Sequence, residues 1–297
     1  MKTKKMTLIA TSIAMMVVTG LFSGCAAKAT PTPVVKAVTY SGTITAVGSS
    51  ALQPLVANAS AAFTVANPDA TVNVQAGGSG VGLTQIAAGS VDIGNSDLVA
   101  ADKLTADQAS GLVDHTVCVV GFAAIVNSKV TVTDLKKADL IGIFTGKIKN
   151  WKEVGGADLK ITIVNRPASS GTRANFKKYA LDGNEEVQGV ALTEDASGTV
   201  KKTVETTDGA IGYLASSYTY DAANTTGIKV LTLDGVEMTP ANIESGKYNV
   251  WSNEHMYTKG EATGLTKAFL DYMGSPEVVK MITAGGYIPT GDMKVKR

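Results

Sequence analysis

The chain has 297 residues, 44% apolar and 18% charged, enough to build a sizeable core in one large or two medium domains. Its 27 basic and 26 acidic residues give a formal charge of +1, without the strongly basic face that nucleic-acid binding requires. Two cysteines, Cys25 and Cys118, exclude both a disulfide framework and a cysteine-rich zinc cluster.

The chain opens as a targeting segment. Lys2, Lys4 and Lys5 form a basic start, and residues 6–22 are apolar but broken by Thr7, Thr11, Ser12, Thr19 and Gly20, too short and too polar for a good membrane span. The following L-F-S-G-C (21–25) is expected to mark export with processing before Cys25, so residues 1–24 read as a signal peptide. Losing its three lysines leaves acidic residues in slight excess. Residues 25–41, rich in Ala, Thr, Pro, Lys and Val without periodicity, read as a flexible tether.

The folded part begins near Gly42 with a unit of strand, loop and helix. Residues 43–47 read as a strand, Gly48-Ser49-Ser50 as a loop, and 51–65 as a helix. That helix has Leu52, Leu55, Val56, Ala59 and Phe63 on one face, and Pro54 is tolerated in its first turn. A second unit follows, with a strand over 71–75, a Gly-Ser loop over 76–80 and a helix over 81–88 ended by Gly89. A short strand over 91–94 then delivers Asn95-Ser96-Asp97 to its end. Residues 115–126 are a long apolar run containing Cys118, expected as a buried strand that crosses between lobes. A helical stretch is expected from Thr133-Asp134 to just before Phe144.

The most informative stretch is 161–173, I-T-I-V-N-R-P-A-S-S-G-T-R. An alternating strand breaks at Asn165-Arg166-Pro167 and restarts as a helix over 172–181. A strand, a tight loop and a helix start bring unpaired N–H groups and the positive end of a helix dipole to one place, where an anion can be held. Arg166 adds a planar cation suited to two oxygens of one oxyanion, and Ser170 and Thr172 add hydroxyl donors. The plainer reading is a helix cap beside a surface arginine. The pattern recurs, however: Ser49 and Ser50, Ser79, and Ser170 with Thr172 all stand at helix starts, and in an open α/β sheet such starts converge beyond the strand ends. Further strands are expected over 209–214, 228–233 and 251–258, and further helices over 269–273 and 276–284. The alternation gives an α/β protein, with a cleft where two lobes meet.

Motifs for catalysis are scarce. His115 and His255 are far apart and read as structural, and no metal-binding motif occurs. Gly77-Gly78-Ser79-Gly80-Val81 misses the nucleophile elbow at Val81, and the P-loop spacing from Gly77 lacks its lysine, replaced by Leu83. Asp97 is an acceptor among donors. It is either an ion-pair partner for Arg166 or an acceptor for a ligand's own proton. In the second case a phosphate bearing P–OH is admitted and fully ionised sulfate is rejected.

The strings A-V-G-S-S-A-L-Q-P-L (46–55), Q-A-G-G-S-G-V-G-L-T-Q-I (75–86), V-D-I-G-N-S-D (91–97), I-F-T-G-K-I-K-N-W (143–151), N-R-P-A-S-S-G-T-R (165–173) and G-Y-I-P (286–289) resemble the phosphate-binding proteins of bacterial phosphate ABC transporters, the PstS type. The resemblance runs in order over about 42–297. It implies an α/β, two-lobed periplasmic-binding-protein fold of type 2, each lobe a mixed sheet flanked by helices, with the ligand in the cleft. The implied lobes are 42–118 plus 248–297 and 119–247. The implied phosphate ligands are Ser49, Ser50, the Ala51 N–H and Ser79 from one lobe, with Asp97 accepting the ligand's proton. From the other lobe, Arg166 clamps two oxygens and Ser170, Gly171 and Thr172 donate. Ser50 and Ala51 stand where some family members have Thr and a larger aromatic; Trp151 reads as structural. The string at 21–25 resembles a bacterial lipobox, with Phe22 where a smaller aliphatic is usual, so Cys25 is expected to carry lipid. The implied protein is a lipid-anchored extracytoplasmic monomer that hands phosphate to a membrane permease, with no cofactor, metal, catalytic residue or nucleic acid. The alternatives are a carrier of another tetrahedral oxyanion (sulfate, molybdate or tungstate) and a secreted phosphatase-like enzyme using Ser79 or Ser170.

Overall fold

A computed structural model describes residues 39–297; the signal peptide read over 1–24, Cys25 and the tether as far as residue 38 lie outside them. The described chain opens with β1 (Gly42–Gly48), α1 (Gln53–Ala66), β2 (Ala70–Ala76), α2 (Ser79–Ala88) and β3 (Ile93–Ser96). A short α3 (Ala106–Ser110) leads into β4 (Leu112–Asn127), a strand of 16 residues. Next come β5 (Asp134–Leu135), α4 (Lys137–Phe144), β6 (Thr162–Asn165), α5 (Gly171–Tyr179), β7 (Leu192–Thr193), α6 (Ser197–Thr206) and β8 (Ala210–Ala215). They are followed by β9 (Ile228–Val230), β10 (Thr232–Leu233), α7 (Pro240–Glu244), β11 (Trp251–Lys259), α8 (Gly264–Met273) and α9 (Pro276–Ala284). No helix among the described residues is long and apolar enough to cross a membrane.

The strands join in the order β2-β1-β3-β11-β4-β8-β6-β7, with β9 also on β4 and β10 paired separately with β5. β1 runs parallel to β2 and β3, whereas β11 is antiparallel to β3 and β4. Beyond β4, β8 is antiparallel to it, and β6 runs parallel to β8 and β7. The architecture is thus α/β with two lobes, each a mixed sheet flanked by helices.

β4 is the strand both lobes share. From Leu112 to Gly121 it pairs with β11, and from Phe122 to Asn127 it pairs with β8 and β9. Its buried run begins at Cys118 and continues to Asn127, which is why the sequence there is apolar without alternation: both faces are covered. The chain returns from the second lobe beside the point where it entered. The Phe122 N–H donates to the Val250 carbonyl at 2.8 Å, and the Tyr248 hydroxyl donates to the Phe122 carbonyl at 2.7 Å.

Helices cover the sheets with the faces the sequence marks. α1 buries Leu55, Val56, Ala59 and Phe63, and the Phe63 ring meets Phe269 of α8 edge-on at 5.4 Å. In the second lobe Phe176 of α5 stacks on Tyr213 of β8 at 4.4 Å, and Phe144 of α4 closes the cluster. Each such fully buried side chain contributes about 1.5–3 kcal/mol relative to leaving it in water. Trp151 is structural here: its ring is buried and its Nε1–H donates to the Gly209 carbonyl at 2.9 Å.

Several expected elements differ: the strand expected over 91–94 is β3, Ile93–Ser96, and the helix expected over 269–273 begins earlier, as α8, Gly264–Met273. The helix expected from Thr133-Asp134 starts at Lys137, because Asp134 and Leu135 pair with β10 and the Asp134 carboxylate accepts from Thr232 and from the Gly235 N–H. The single strand expected over 228–233 is two strands, in different sheets, on either side of Leu231, which is buried.

Candidate functional site

The three strand–loop–helix units bring their loops together beside the β4 crossing. At the first, Gly48 has φ 141°, and a Cβ there would lie 2.1 Å from the Asn95 carbonyl, so only glycine lets β1 approach β3 this closely. Ser49 fixes the turn that follows. Its N–H donates to the Asn95 carbonyl at 2.9 Å, and its Oγ accepts from the Ala51 N–H at 3.1 Å and the Leu52 N–H at 3.0 Å. Ser49 therefore holds the helix entrance, and the Ala51 N–H is directed to it. Ser50 points across the cleft: its hydroxyl lies 2.9 Å from the Ser197 hydroxyl, and it accepts from the Ser197 N–H at 3.2 Å and from Arg166 Nη2 at 3.4 Å.

The second and third units meet at Asp97. Ser79 opens α2; its Oγ accepts from the Asp97 N–H at 2.9 Å and donates to Asp97 Oδ1 at 3.1 Å. From the other lobe the Thr172 hydroxyl donates to Asp97 Oδ2 at 2.9 Å. Asn175, one turn along α5, donates to the Asp97 carbonyl at 2.8 Å and to Ser252 Oγ at 3.2 Å, tying α5 to β11. Ser170 is the N-cap of α5, its Oγ accepting from the Arg173 N–H at 3.1 Å, so the capping role read from the sequence is present. The N–H groups of Gly171 and Thr172 fall in the first helical turn, where no intrahelical acceptor exists. Gly171 also sets how closely the lobes meet, since a Cβ there would lie 2.2 Å from Ser79 Oγ and 3.0 Å from Asp97 Cβ.

Arg166 is the electrostatic centre. It is 1% exposed, and its Nη2 donates to the Asp195 carbonyl at 2.8 Å. Its Nε and Nη1 have no hydrogen-bond partner, and the guanidinium makes no ion pair among the described residues. Arg173, seven residues on, does pair, with Glu186 at 3.7 Å. Burial pulls the Arg166 guanidinium down from its usual range, while Tyr213 and Asp97 work in the opposite sense. A buried cation left with open donors costs several kcal/mol unless an anion completes it. Asp97 does not complete it: its oxygens are engaged by Ser79 and Thr172.

Sequence reading missed three participants. Ser197, at the start of α6, faces Ser50 from a segment with weak periodicity; its Ser-Gly helix start is the signal that could have found it. Tyr218 donates to the Ser50 carbonyl at 3.1 Å. Glu254, in β11, is fully buried, and neither of its carboxylate oxygens has a hydrogen-bond partner. A glutamate inside an otherwise buried strand was the signal there. The histidines lie elsewhere: His255 contacts Asp114 at 2.9 Å and His115 contacts Thr258 at 3.1 Å. Among the described residues no group of acidic, His or Cys side chains could hold a metal ion.

The arrangement is a compact polar cluster: one buried cation, several hydroxyls, three helix N-termini and one hydrogen-bonded carboxylate. It fits a compact oxyanion that carries a proton. Proteins similar to this chain include phosphate-binding proteins. Residues 33–277 match the family model of the PBP superfamily domain. The phosphate-binding protein PstS of Bacillus subtilis is 56% identical over 258 residues, covering 86% of this chain and 84% of that one. A Clostridium perfringens crystal structure described as a phosphate ABC transporter substrate-binding protein, with phosphate bound, superposes with a TM-score of 0.75 at 29% identity, covering 84% of this chain and 100% of that one. An ABC-type phosphate transport receptor from Vibrio cholerae superposes with a TM-score of 0.64 at 28% identity, covering 82% and 99%.

Proposed function

Because this chain belongs to the PBP superfamily, and within it to the phosphate-binding proteins of the PstS type, we propose that it captures inorganic phosphate in the cleft and delivers it to an ABC permease for import. The observation that carries this reading is Arg166: a buried guanidinium with two nitrogens open, opposite hydroxyls and a carboxylate. An oxyanion placed there takes the two open donors as a bidentate pair.

Roles follow from position. Ser50, Ser170 and the N–H groups of Gly171 and Thr172 donate to phosphate oxygens; the Ser79 and Thr172 hydroxyls join them by turning from Asp97 and the Ala51 N–H by turning from Ser49 Oγ, with Ser49 holding the loop that presents Ser50 and Ala51. Asp97 accepts the proton of a P–OH group. Sulfate brings no such proton at neutral pH, so its oxygen would face the Asp97 oxygen without a hydrogen between them. This favours phosphate over sulfate, molybdate or tungstate. Placement of the histidines away from Ser79 and Ser170 supports a carrier over a phosphatase-like enzyme.

The lobe limits 42–118 with 248–297 and 119–247 are part of the proposal, supported by the change of partner along β4. So are export, a lipid anchor at Cys25 and a monomeric state, which the lipobox-like string and the transporter role support. Calorimetry on purified protein, freed of ligand by unfolding and refolding, tests the central reading. Tight one-to-one phosphate binding without a sulfate response is expected. Preference for sulfate or molybdate would move the protein to another oxyanion, and silence to all of them would overturn the reading.

A further inference from the structure

Glu254 is a carboxyl group without a visible reason to be where it is. Opposite β3, β11 sets His255 against Ser96 and Met256 against Asn95; Glu254 is the next residue of β11, at a register shift against β4, and Asp97 is the next residue after β3, and their carboxyl groups lie close enough to interact. Two like charges so placed repel. The groups that face Glu254 are Asp97 from the end of β3, Ser49 from the loop before α1, the Cys118 thiol from β4 and the Tyr287 hydroxyl from the segment after α9. None is a cation. The residue is fully buried, and neither oxygen has a hydrogen-bond partner, although the Ser49 side chain stands near enough to favour the charged form against the stronger effects of burial and Asp97. Asn95, on the same face of β3, also has its side-chain amide buried without a partner.

A carboxylate cannot be held ionised in such surroundings, whereas a carboxylic acid can, because it brings its own donor. We propose that Glu254 is a positioning residue of the anion site, a buried carboxylic acid that donates its proton in a hydrogen bond to Asp97. The pair then carries one negative charge, and Asp97 keeps an acceptor lone pair aimed at the ligand. In accord with this geometry, burial and the neighbouring Asp97 push the Glu254 carboxyl well above the ordinary carboxylate range. The proposal deepens the phosphate reading and rests on it for the ligand's identity. It extends that reading by making the proton acceptor a two-carboxyl unit with one proton, set by a residue that does not touch the ligand.

The consequence is a pH response. While Glu254 keeps its proton, Asp97 is held as the acceptor for P–OH. When rising pH removes that proton, two carboxylates face each other and phosphate affinity falls. Glu254→Gln keeps an N–H donor toward Asp97 but cannot ionise, so its neutral-pH affinity is expected within about threefold of wild type, with that fall removed. Glu254→Leu removes the donor and should weaken phosphate binding about tenfold or more.

The experiment titrates phosphate across neutral and alkaline pH into the wild type and both variants, and records infrared spectra of the same samples without ligand. The wild type should show a protonated-carboxyl stretch at neutral pH that is absent from Glu254→Gln. Lack of that band in the wild type, its survival in Glu254→Gln, or an unchanged fall with rising pH in Glu254→Gln overturns the proposal. If Glu254→Leu does not fold, the glutamine variant and the band still decide. A wild type that shows the band but binds no phosphate overturns the phosphate reading and the ligand-facing half of this one, while the assignment of the proton to Glu254 stands.

Discussion

The two walls of the cleft are built alike and charged differently. Each presents a helix start, α2 on one side and α5 on the other, with a serine or threonine hydroxyl and first-turn N–H groups. The first wall also carries the carboxyl groups, Asp97 with Glu254 beside it, and the second carries the guanidinium of Arg166. The common part holds any compact oxyanion. In the proposed reading the difference divides attraction from discrimination: the cation on one wall draws the anion in, and the acid on the other asks whether it has a proton. Closure joins the two tests, since a ligand must satisfy both walls before binding energy can offset the ordering of the lobes.

The largest break in this symmetry is Arg166→Ala. It should lower phosphate affinity by about 10²–10³-fold, measured by calorimetry, because the ligand's charge then lies buried without its partner. The same variant should unfold at higher denaturant concentration than the wild type in the absence of phosphate, since it deletes an uncompensated buried cation. Gly171→Ala attacks the meeting of the walls rather than their charge. A methyl group that would lie 2.2 Å from Ser79 Oγ should prevent full closure and weaken phosphate about tenfold or more, with little effect on the stability of the open, ligand-free protein. Asp97→Asn should act on the ratio: phosphate weakens, sulfate gains an N–H donor, and the gap between them narrows. An unchanged ratio would sink the proton-reading role.

A smaller effect concerns stability. The Glu254 carboxyl is raised in the folded protein, while an unfolded glutamate titrates near 4.3. Above about pH 4.3 the folded state therefore binds more protons than the unfolded one, and stability falls as pH rises toward the folded value. Glu254→Gln should lack this slope, being more stable than wild type at pH 7 in denaturant titrations, with the difference shrinking toward pH 4. Smallest of all is Lys103→Ala, which removes a solvent-exposed hydrogen bond from Lys103 Nζ to the Ala168 carbonyl at 3.2 Å across the cleft. It should change phosphate affinity by less than about threefold.

Much of this arrangement is legible in the sequence where local chemistry dictates it. The strand–loop–helix units announce themselves through Gly-Ser punctuation, and the unbroken apolar run of β4 announces a strand covered on both faces. Ser50, Ser79, Asp97, Arg166 and Thr172 are found together because each lies at the end of such a unit. What sequence could not give depends on pairing at a distance. Asp134 joins β10 instead of starting a helix because residues a hundred positions later bond to it. Likewise, nothing in W-S-N-E-H-M-Y-T-K says that Glu254 will stand close to Asp97, since that follows from the pairing of β11 with β3. Ser49 and Ala51 are a subtler case: the loop is legible, but the serine oxygen turns inward to hold the helix entrance.

The place of β11 in the sheet bears on how the protein is made. It lies between β3 and β4, though the ribosome adds it only after the whole of the second lobe. Until it arrives, the first lobe has a gap at its centre, with β3 and β4 both exposing open edges. The second lobe, already complete in sequence, can assemble while the first waits. Glu254 enters with that same strand, so the last piece to close the sheet also supplies the proposed proton donor to Asp97. Until that strand is in place the chain has its cation but an unfinished acid wall.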